Sequence, residues 1–429
     1  DGNLERLRST LDELSGGGGG SGRERTGVAP PDLVIFPELF ITGYPPVDIL
    51  ERKWFVEKVE QAMEDVRELT RAHRGMAVLL GAPQRTGRPD GRGLHNSALL
   101  LRDGEVVFRQ HKSLLPTYDV FDEARYFDPA GGVGIAGGVG IAEVAGVTLG
   151  ITICEDAWAD AGTMDCRRYP TDPVAELAGM GAQLMVNISS SPFYAGKDSE
   201  RFDIISGHAL RHGVPFIYVN TVGANDELVF DGASLAVDPS GRPLAVLPYF
   251  REEVRVVDLG AGPTLPDGDP GSRGGEGRAE AMSPPLTEKG AGTPGGISSG
   301  GSGSQGGWGE GDPSLFAPED PVTSVRGALV LGIRDYLGKT GFTTALVGLS
   351  GGVDSAVVCA LAVEALGQDK VYGITMPGPY SSKGSVEDSR KLAGNLGIDL
   401  RVVPISSVFD AYRRTMEGVY GEAPSDVAE

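Results

Sequence analysis

The stretch LVGLSGGVDSAVV (residues 346–358) leaves this chain few folds to choose from. Ala345–Val347 is an apolar run of the kind buried on both faces of a parallel sheet. A helix-forming run, Ala356–Leu366, starts a few residues later. A parallel strand needs a crossover connection, so strand, glycine turn and helix in this order commit the region to an α/β architecture. Val322–Leu337 reads as a helix before it. Val371–Met376, Glu387–Leu396 and Leu400–Pro404 continue as strand, helix and strand, the beginning of a doubly wound parallel sheet. The turn comprises Gly348, Leu349, Ser350, Gly351, Gly352, Val353, Asp354 and Ser355. Its glycines admit a close backbone approach, and amides at a helix N-terminus can hold an anion there. It lacks the lysine of the P-loop pattern G-x-x-x-x-G-K-[ST], so it is not a P-loop. Gly132, Gly134 and Gly137 match G-x-G-x-x-G, but inside a tandem GGVGIA repeat that leads into a strand, the wrong context for a dinucleotide turn.

The N-terminal half has a different texture. Leu4, Leu7, Leu11 and Leu14 recur at helical spacing, and Gly16–Gly22 ends that helix as a flexible loop. Short strands then alternate with helices: Leu33–Phe36, a mostly helical Val47–Ala72, Ala77–Gly81, and a hairpin of Ser97–Arg102 and Val106–Gln110 about Asp103-Gly104. Val147–Ile153, Leu184–Ile188 and Phe216–Asn220 read as strands, with Pro173–Gly179 and Ser199–His212 as helices between them. Leu235–Val237 and Leu244–Val246 form a second hairpin. Mixed strands and helices of this kind predict a layered α/β sandwich. Residues 259–317 are Gly, Ser, Pro and charge, too poor in apolar surface to offset ordering entropy, and are expected to be a disordered linker. The chain of 429 residues therefore divides into 1–258, the linker 259–317, and 318–429.

A net charge of −21 with no Lys/Arg cluster argues against nucleic acid as a partner. No apolar run reaches membrane-spanning length. Three scattered cysteines, Cys154, Cys166 and Cys359, suit neither a disulfide framework nor a zinc site, which fits a reducing cytoplasm. Cys166 lies in a charged stretch and Cys359 on the helix behind the phosphate turn, and both read as structural. Cys154 differs. It ends a strand, as does Glu38, and Lys112 follows a hairpin, so all three fall where α/β folds gather their sites. A thiol near neutral pH is only a few per cent thiolate. A neighbouring ammonium such as Lys112 is expected to lower its pKa, and Glu38 to accept the proton; the sulfur can then attack an amide carbonyl. Lys112 and a backbone N–H would hold the oxyanion.

Several longer strings carry a resemblance. FPELFITGYPP, HKSLLPTYDVFDEARYF and ITICEDAW resemble the nitrilase superfamily with its Glu-Lys-Cys triad. Together with NISSSPFYAGK and VNTVGANDELVFDGAS they are similar to the glutaminase domain of glutamine-dependent NAD⁺ synthetases. SGGVDS resembles the pyrophosphate loop of ATP pyrophosphatases, and MPGPYSSKGSVEDSRKLAGNLGI the ATP-site segment of the same synthetases. The resemblance implies a nitrilase-like α-β-β-α sandwich followed by a truncated doubly wound ATP-pyrophosphatase domain. It assigns Glu38 as general base, Lys112 as stabilising cation and Cys154 as nucleophile. It places Tyr118, Phe121, Glu123, Ser191 and Lys197 about the glutamine pocket, Lys197 standing where relatives often carry arginine. Gly348 to Ser355 fall on ATP, Asp354 on Mg²⁺, and Met376, Tyr380 and Ser382 near the nucleotide.

The activity so implied is ATP-dependent amidation of deamido-NAD⁺ to NAD⁺ with ammonia from glutamine, passed through an internal tunnel of a homo-oligomer. An opening strand and most of the deamido-NAD⁺ site are expected outside residues 1–429, so the chain alone is expected to be at most a glutaminase. A carbon–nitrogen hydrolase with a non-catalytic ATP-binding remnant, and a non-enzymatic scaffold, are the alternatives.

Overall fold

The computed structural model describes residues 2–16, 29–88, 91–131, 139–159, 169–260 and 308–421. Helix α1 (Gly2–Leu14) leads to strand β1 (Leu33–Ile35) and, after a 3₁₀ turn at Val47–Glu51, to α2 (Lys53–Ala72). Strands β2 (Ala77–Arg85), β3 (Leu94–Arg102) and β4 (Glu105–His111) follow. They complete a four-stranded sheet in the order β1-β2-β3-β4, with β1 parallel to β2 and the rest antiparallel. Strands β5 (Ile141–Val144) and β6 (Val147–Ile153) come next, then α3 (Pro173–Gly179), β7 (Leu184–Ser189), α4 (Lys197–His212) and β8 (Phe216–Asn220). A small hairpin, β9 (Val222–Asn225) with β10 (Leu228–Asp231), precedes β11 (Leu235–Val237) and β12 (Pro243–Val246). The second sheet has six strands in the order β12-β11-β8-β7-β6-β5, with β6, β7 and β8 parallel.

The two sheets pack face to face through Leu79, Ala98, Leu100, Ile151, Ile153, Val186 and Ile188. Helices α1 and α2 cover the outer face of the first sheet through Leu7, Leu11, Met63 and Val66, and α3 and α4 cover the second through Val174, Leu177, Ile205 and Ala209. This is the layered α/β sandwich the pattern predicts, in the α-β-β-α form the resemblance implies. Leu7 and Leu11, one helical turn apart, are fully buried. Each such side chain contributes about 1.5–3 kcal/mol relative to exposure, which is what fixes α1 to the sheet. Strand β7 is buried at every residue because layers cover both its faces.

The remainder is α5 (Pro321–Thr340), β13 (Ala345–Gly348), α6 (Val353–Leu366), β14 (Val371–Thr375), α7 (Lys383–Leu396), β15 (Asp399–Val402) and α8 (Ser406–Tyr420). Its sheet is parallel throughout, in the order β13-β14-β15. Leu349, Cys359, Ala362, Val371 and Ala393 form its core, so Cys359 is a packing residue as expected. Asp320 caps α5 by accepting from the amide of Thr323. Along α5, Asp335 accepts the Ala224 amide at 2.7 Å and Lys339 donates to the Ala224 carbonyl, which seats the helix on the β9–β10 hairpin.

The expected linker is corrected at its edges. Trp308 and Leu259 pack against the inter-sheet core, and Phe316 stacks on Phe202 at 4.0 Å. The Gly311 amide donates to Asp238 at 2.9 Å, and Arg242 pairs with Glu310 at 3.0 Å. Two aromatic residues and two polar anchors suffice to order this stretch, which composition averaged over 259–317 conceals. Residues 261–307 lie outside the described residues, as do Gly132, Gly134, Gly137, Cys166 and Gly17–Gly22. The strand expected after the glycine repeat is present as β5.

Candidate active site

Glu38 follows β1, Lys112 follows β4, and Cys154 follows β6, so the strand ends of both sheets bring them into one buried cluster. Gly81 on β2 makes room for the glutamate: a Cβ there would stand 2.1 Å from the Leu39 nitrogen and 2.6 Å from the Glu38 carbonyl carbon. Glu38 Oε1 accepts from Lys112 Nζ at 2.8 Å and from Asn96 Nδ2 at 2.7 Å, and its Oε2 accepts the Ser190 amide at 2.8 Å. Lys112 Nζ also donates to Glu123 Oε1 at 2.7 Å, and the Tyr44 hydroxyl donates to the same oxygen at 2.9 Å. Glu123 Oε2 and Asn96 Oδ1 are buried without a hydrogen-bond partner.

Cys154 has φ 46°, a left-handed conformation that is strained for a side chain with a Cβ. It opens a 3₁₀ turn, Cys154–Trp158. Asn187 Nδ2 donates to the Cys154 carbonyl at 3.3 Å, and the Asp156 carboxylate accepts the amides of Ile153, Ser113 and Leu114 at 3.0, 3.0 and 2.9 Å.

Lys112 pulls the Cys154 thiol down in the expected direction, but the net shift is upward. Burial pushes the Cys154 thiol well above the usual thiol range, the Glu38 charge adds to this, and Lys112 only opposes it. The resting sulfur is therefore a thiol, chiefly because it is buried. Burial alone would pull Lys112 down, but Glu123 and Glu38 hold it above the usual lysine range, so it stays an ammonium. Burial raises Glu123, with Lys112 opposing and Glu38 reinforcing the shift. The arrangement suits proton transfer from sulfur to a carboxylate during attack, beside a fixed cation.

Around the cluster, the Tyr118 hydroxyl donates to Glu155 Oε2 at 2.7 Å, and its ring meets Phe121 edge-on at 5.4 Å. Tyr169 donates to the other oxygen of Glu155 at 2.6 Å. The Ser191 amide donates to Asn220 Oδ1 at 2.9 Å. Asn220 Nδ2 in turn donates to Asp231, which pairs with the buried Arg201 at 2.9 Å. Lys197 begins α4, donates to the Pro192 carbonyl at 2.7 Å, and lies over the rings of Tyr194 and Trp158, the latter in the cysteine's own turn. Burial, then Arg201, push it down to about 8. Asn96, Ser190, Tyr44 and Asp156 were not singled out from sequence. Asn96 sits mid-strand with no spacing signal, and the others act through contacts across the fold.

At the second site α6 starts at Val353, so Asp354 and Ser355 occupy its first turn, where the positive end of the helix favours acidic and hydroxyl groups. Ser355 Oγ donates to the Gly352 carbonyl at 3.0 Å and accepts the Ser350 amide at 3.3 Å; the Gly352 amide donates to Ser350 Oγ at 3.2 Å. Gly351 has φ 82°, and a Cβ there would lie 2.5 Å from Cα and carbonyl oxygen of Ser385. The N-termini of α6 and α7 therefore converge on the turn, a second set of amides that the sequence motif does not reveal. Ser382 caps α7 by accepting the Ser385 amide at 3.0 Å, while Tyr380 and Met376 are exposed. Asp354 is exposed at the turn, and among the described residues no group of three acidic, His or Cys side chains is arranged to hold a metal ion. One carboxylate suits Mg²⁺ only with phosphate oxygens completing the shell.

Residues 23–262 match the carbon–nitrogen hydrolase family model and residues 325–429 the NAD synthase model. Fold and site thus define a carbon–nitrogen hydrolase domain joined to an NAD-synthase domain. The chain is 37% identical over 403 residues to the glutamine-dependent NAD(+) synthetase of Synechocystis sp., covering 93% of this chain and 63% of that protein. It is 33% identical to that of Aquifex aeolicus, covering 100% and 67%. The structure of glutamine-dependent NAD+ synthetase from Acinetobacter baumannii in complex with adenosine diphosphate superposes with a TM-score of 0.75 at 25% identity, covering 100% of this chain and 66% of that one. The chain belongs to the glutamine-dependent NAD⁺ synthetase family. It spans about 63% of the length of the Synechocystis relative. No helix among the described residues is long and apolar enough to cross a membrane.

Proposed function

We propose that this chain supplies the glutamine-hydrolysing site and the nucleotide turn of an enzyme that amidates deamido-NAD⁺ to NAD⁺ with ATP. The observation that carries the reading is the buried Glu38–Lys112–Glu123 array with Cys154 at a strained strand end, in the same chain as the Ser350–Ser355 turn. Glutamine's carboxylate meets Lys197, a cation at the positive end of α4, with Tyr118, Phe121 and Ser191 about its chain. Its amide brings N–H groups to the unpartnered acceptors Glu123 Oε2 and Asn96 Oδ1, each of which otherwise costs about 1–3 kcal/mol.

In the reaction Glu38 takes the thiol proton as sulfur bonds the amide carbon, and Lys112 with a backbone N–H stabilises the oxyanion. Collapse breaks the C–N bond, and Glu38 returns the proton to the departing nitrogen, releasing ammonia. Water, deprotonated by Glu38, then resolves the thioester to glutamate. At the second site the amides and hydroxyls of residues 350–355 hold the pyrophosphate of ATP as the carboxylate of deamido-NAD⁺ attacks the α-phosphate. Ammonia then displaces AMP from the acyl adenylate. Mg²⁺, held by Asp354 and the phosphates, would neutralise charge on the leaving pyrophosphate. The domains 1–258 and 318–429, cytoplasmic location and homo-oligomeric assembly belong to the same reading.

Cys154→Ala tests it. In a protein carrying this chain and the remaining length of its relatives, glutamine-supported NAD⁺ synthesis disappears while ammonia-supported synthesis persists. Loss of both together overturns the division of labour. Glutamine hydrolysis indifferent to ATP and deamido-NAD⁺ would favour a plain carbon–nitrogen hydrolase.

A further inference from the structure

Asp156 is a buried carboxylate whose hydrogen bonds come from three backbone amides. Its Oδ2 accepts the amide of Ile153, the residue before the nucleophile, at 3.0 Å, and its Oδ1 accepts the amides of Ser113 and Leu114, just after the lysine, at 3.0 and 2.9 Å. Asp156 lies 43 and 42 positions beyond Ser113 and Leu114, and the segments it joins belong to different sheets. One carboxylate thus joins the strained cysteine turn to the chain that delivers Lys112.

We propose that Asp156 is the positioning residue that sets Cys154 against Lys112, acting on the reaction through the backbone on either side of them and touching no substrate. The inference rests on the reading of Cys154 as nucleophile. Both carboxylate oxygens are needed because the amides arrive from two sides. Burial pushes Asp156 up to about 7 and the three amides oppose that shift; in the ionised form charge-assisted acceptance strengthens each bond. Asp156→Asn keeps the size but replaces one acceptor by an NH₂ group that confronts an N–H, so one side of the tie must open. Because about 1 Å of misplacement costs on the order of 10²-fold in rate, the loss falls on the chemical step.

The experiment uses the full chain. Alkylation of Cys154 by iodoacetamide, read by peptide mass spectrometry against the buried Cys359, is measured first. If unaltered Cys154 reacts no faster than Cys359, the nucleophile reading itself fails. With that established, Asp156→Asn is expected to slow Cys154 alkylation about tenfold. It is expected to lower kcat for glutamine hydrolysis about 100-fold with KM within about threefold. Unchanged kcat and alkylation in a folded variant, or a raised KM with unchanged kcat, overturns the proposal. If the variant does not fold, amide hydrogen exchange in the unaltered chain decides. Residues 113, 114 and 153 are expected to be protected together; exchange of 113 or 114 at the rate of exposed neighbours overturns the tie.

Discussion

The cysteine shows how a residue's chemistry depends on what already claims its neighbours. Lys112, shared between Glu38 and Glu123, has the charge to lower a thiol pKa, but burial wins and the thiol stays protonated at rest. That shifts the burden of activation to Glu38, whose oxygens are fixed by Asn96, Lys112 and Ser190. Lys197 is the complementary case. Burial lowers it to about 8, so its charge is lost as the pH rises through 8. The KM for glutamine is therefore expected to climb above pH 8 as the carboxylate loses its partner. Lys197→Arg, which cannot deprotonate, flattens that climb. Stability moves the other way. A lysine whose folded pKa lies below its unfolded one penalises folding below about 8, and the penalty is relieved between 8 and 10.5. Initial rates from pH 6.5 to 9.5, with urea titrations at the same values, check both signs.

At the scale of elements, strand ends hold Glu38, Lys112 and Cys154, and first helical turns hold Lys197, Asp354 and Ser355. Gly81 is a mid-strand residue whose missing side chain decides where the glutamate goes. Gly81→Ala drives a methyl into the backbone at Glu38 and Leu39, which no side-chain rotation relieves. The expected outcome is a stability loss of about 1–3 kcal/mol and a fall in glutamine hydrolysis of about 100-fold or more, measured by denaturation and ammonia release. Most elements were legible because their signals are local: the leucine spacing of α1, the Asp103-Gly104 hairpin, the apolar runs of β6, β7 and β13. Those not read have weaker signals. Gly223 interrupts the β9–β10 hairpin, and α8 buries none of its residues. The turn Gly348–Ser355 was legible as a motif, while the approach of Ser385 was not, since α7 starts thirty residues further on and only the parallel sheet brings it there.

Across the whole molecule the two sites sit on separate sheets, with α5 resting on the β9–β10 hairpin between them. In a protein carrying this chain and the remaining length of its relatives, the proposed function predicts that Asp354→Ala abolishes NAD⁺ synthesis from both glutamine and ammonia while leaving glutamine hydrolysis measurable. That pattern is the reverse of the one for Cys154→Ala, and parallel assays of NAD⁺ and glutamate separate them. The amino-acid order by itself determined the periodicities, the turns, the phosphate motif and the candidate Glu38, Lys112 and Cys154, because each is written in a few neighbouring residues. Only the tertiary structure decided the protonation of the thiol, the shared lysine, the Asp156 tie and the hold of Ser190 on Glu38 from 152 positions away. Those depend on burial and on which groups compete for the same proton or the same amide, quantities that exist only once distant strands have packed.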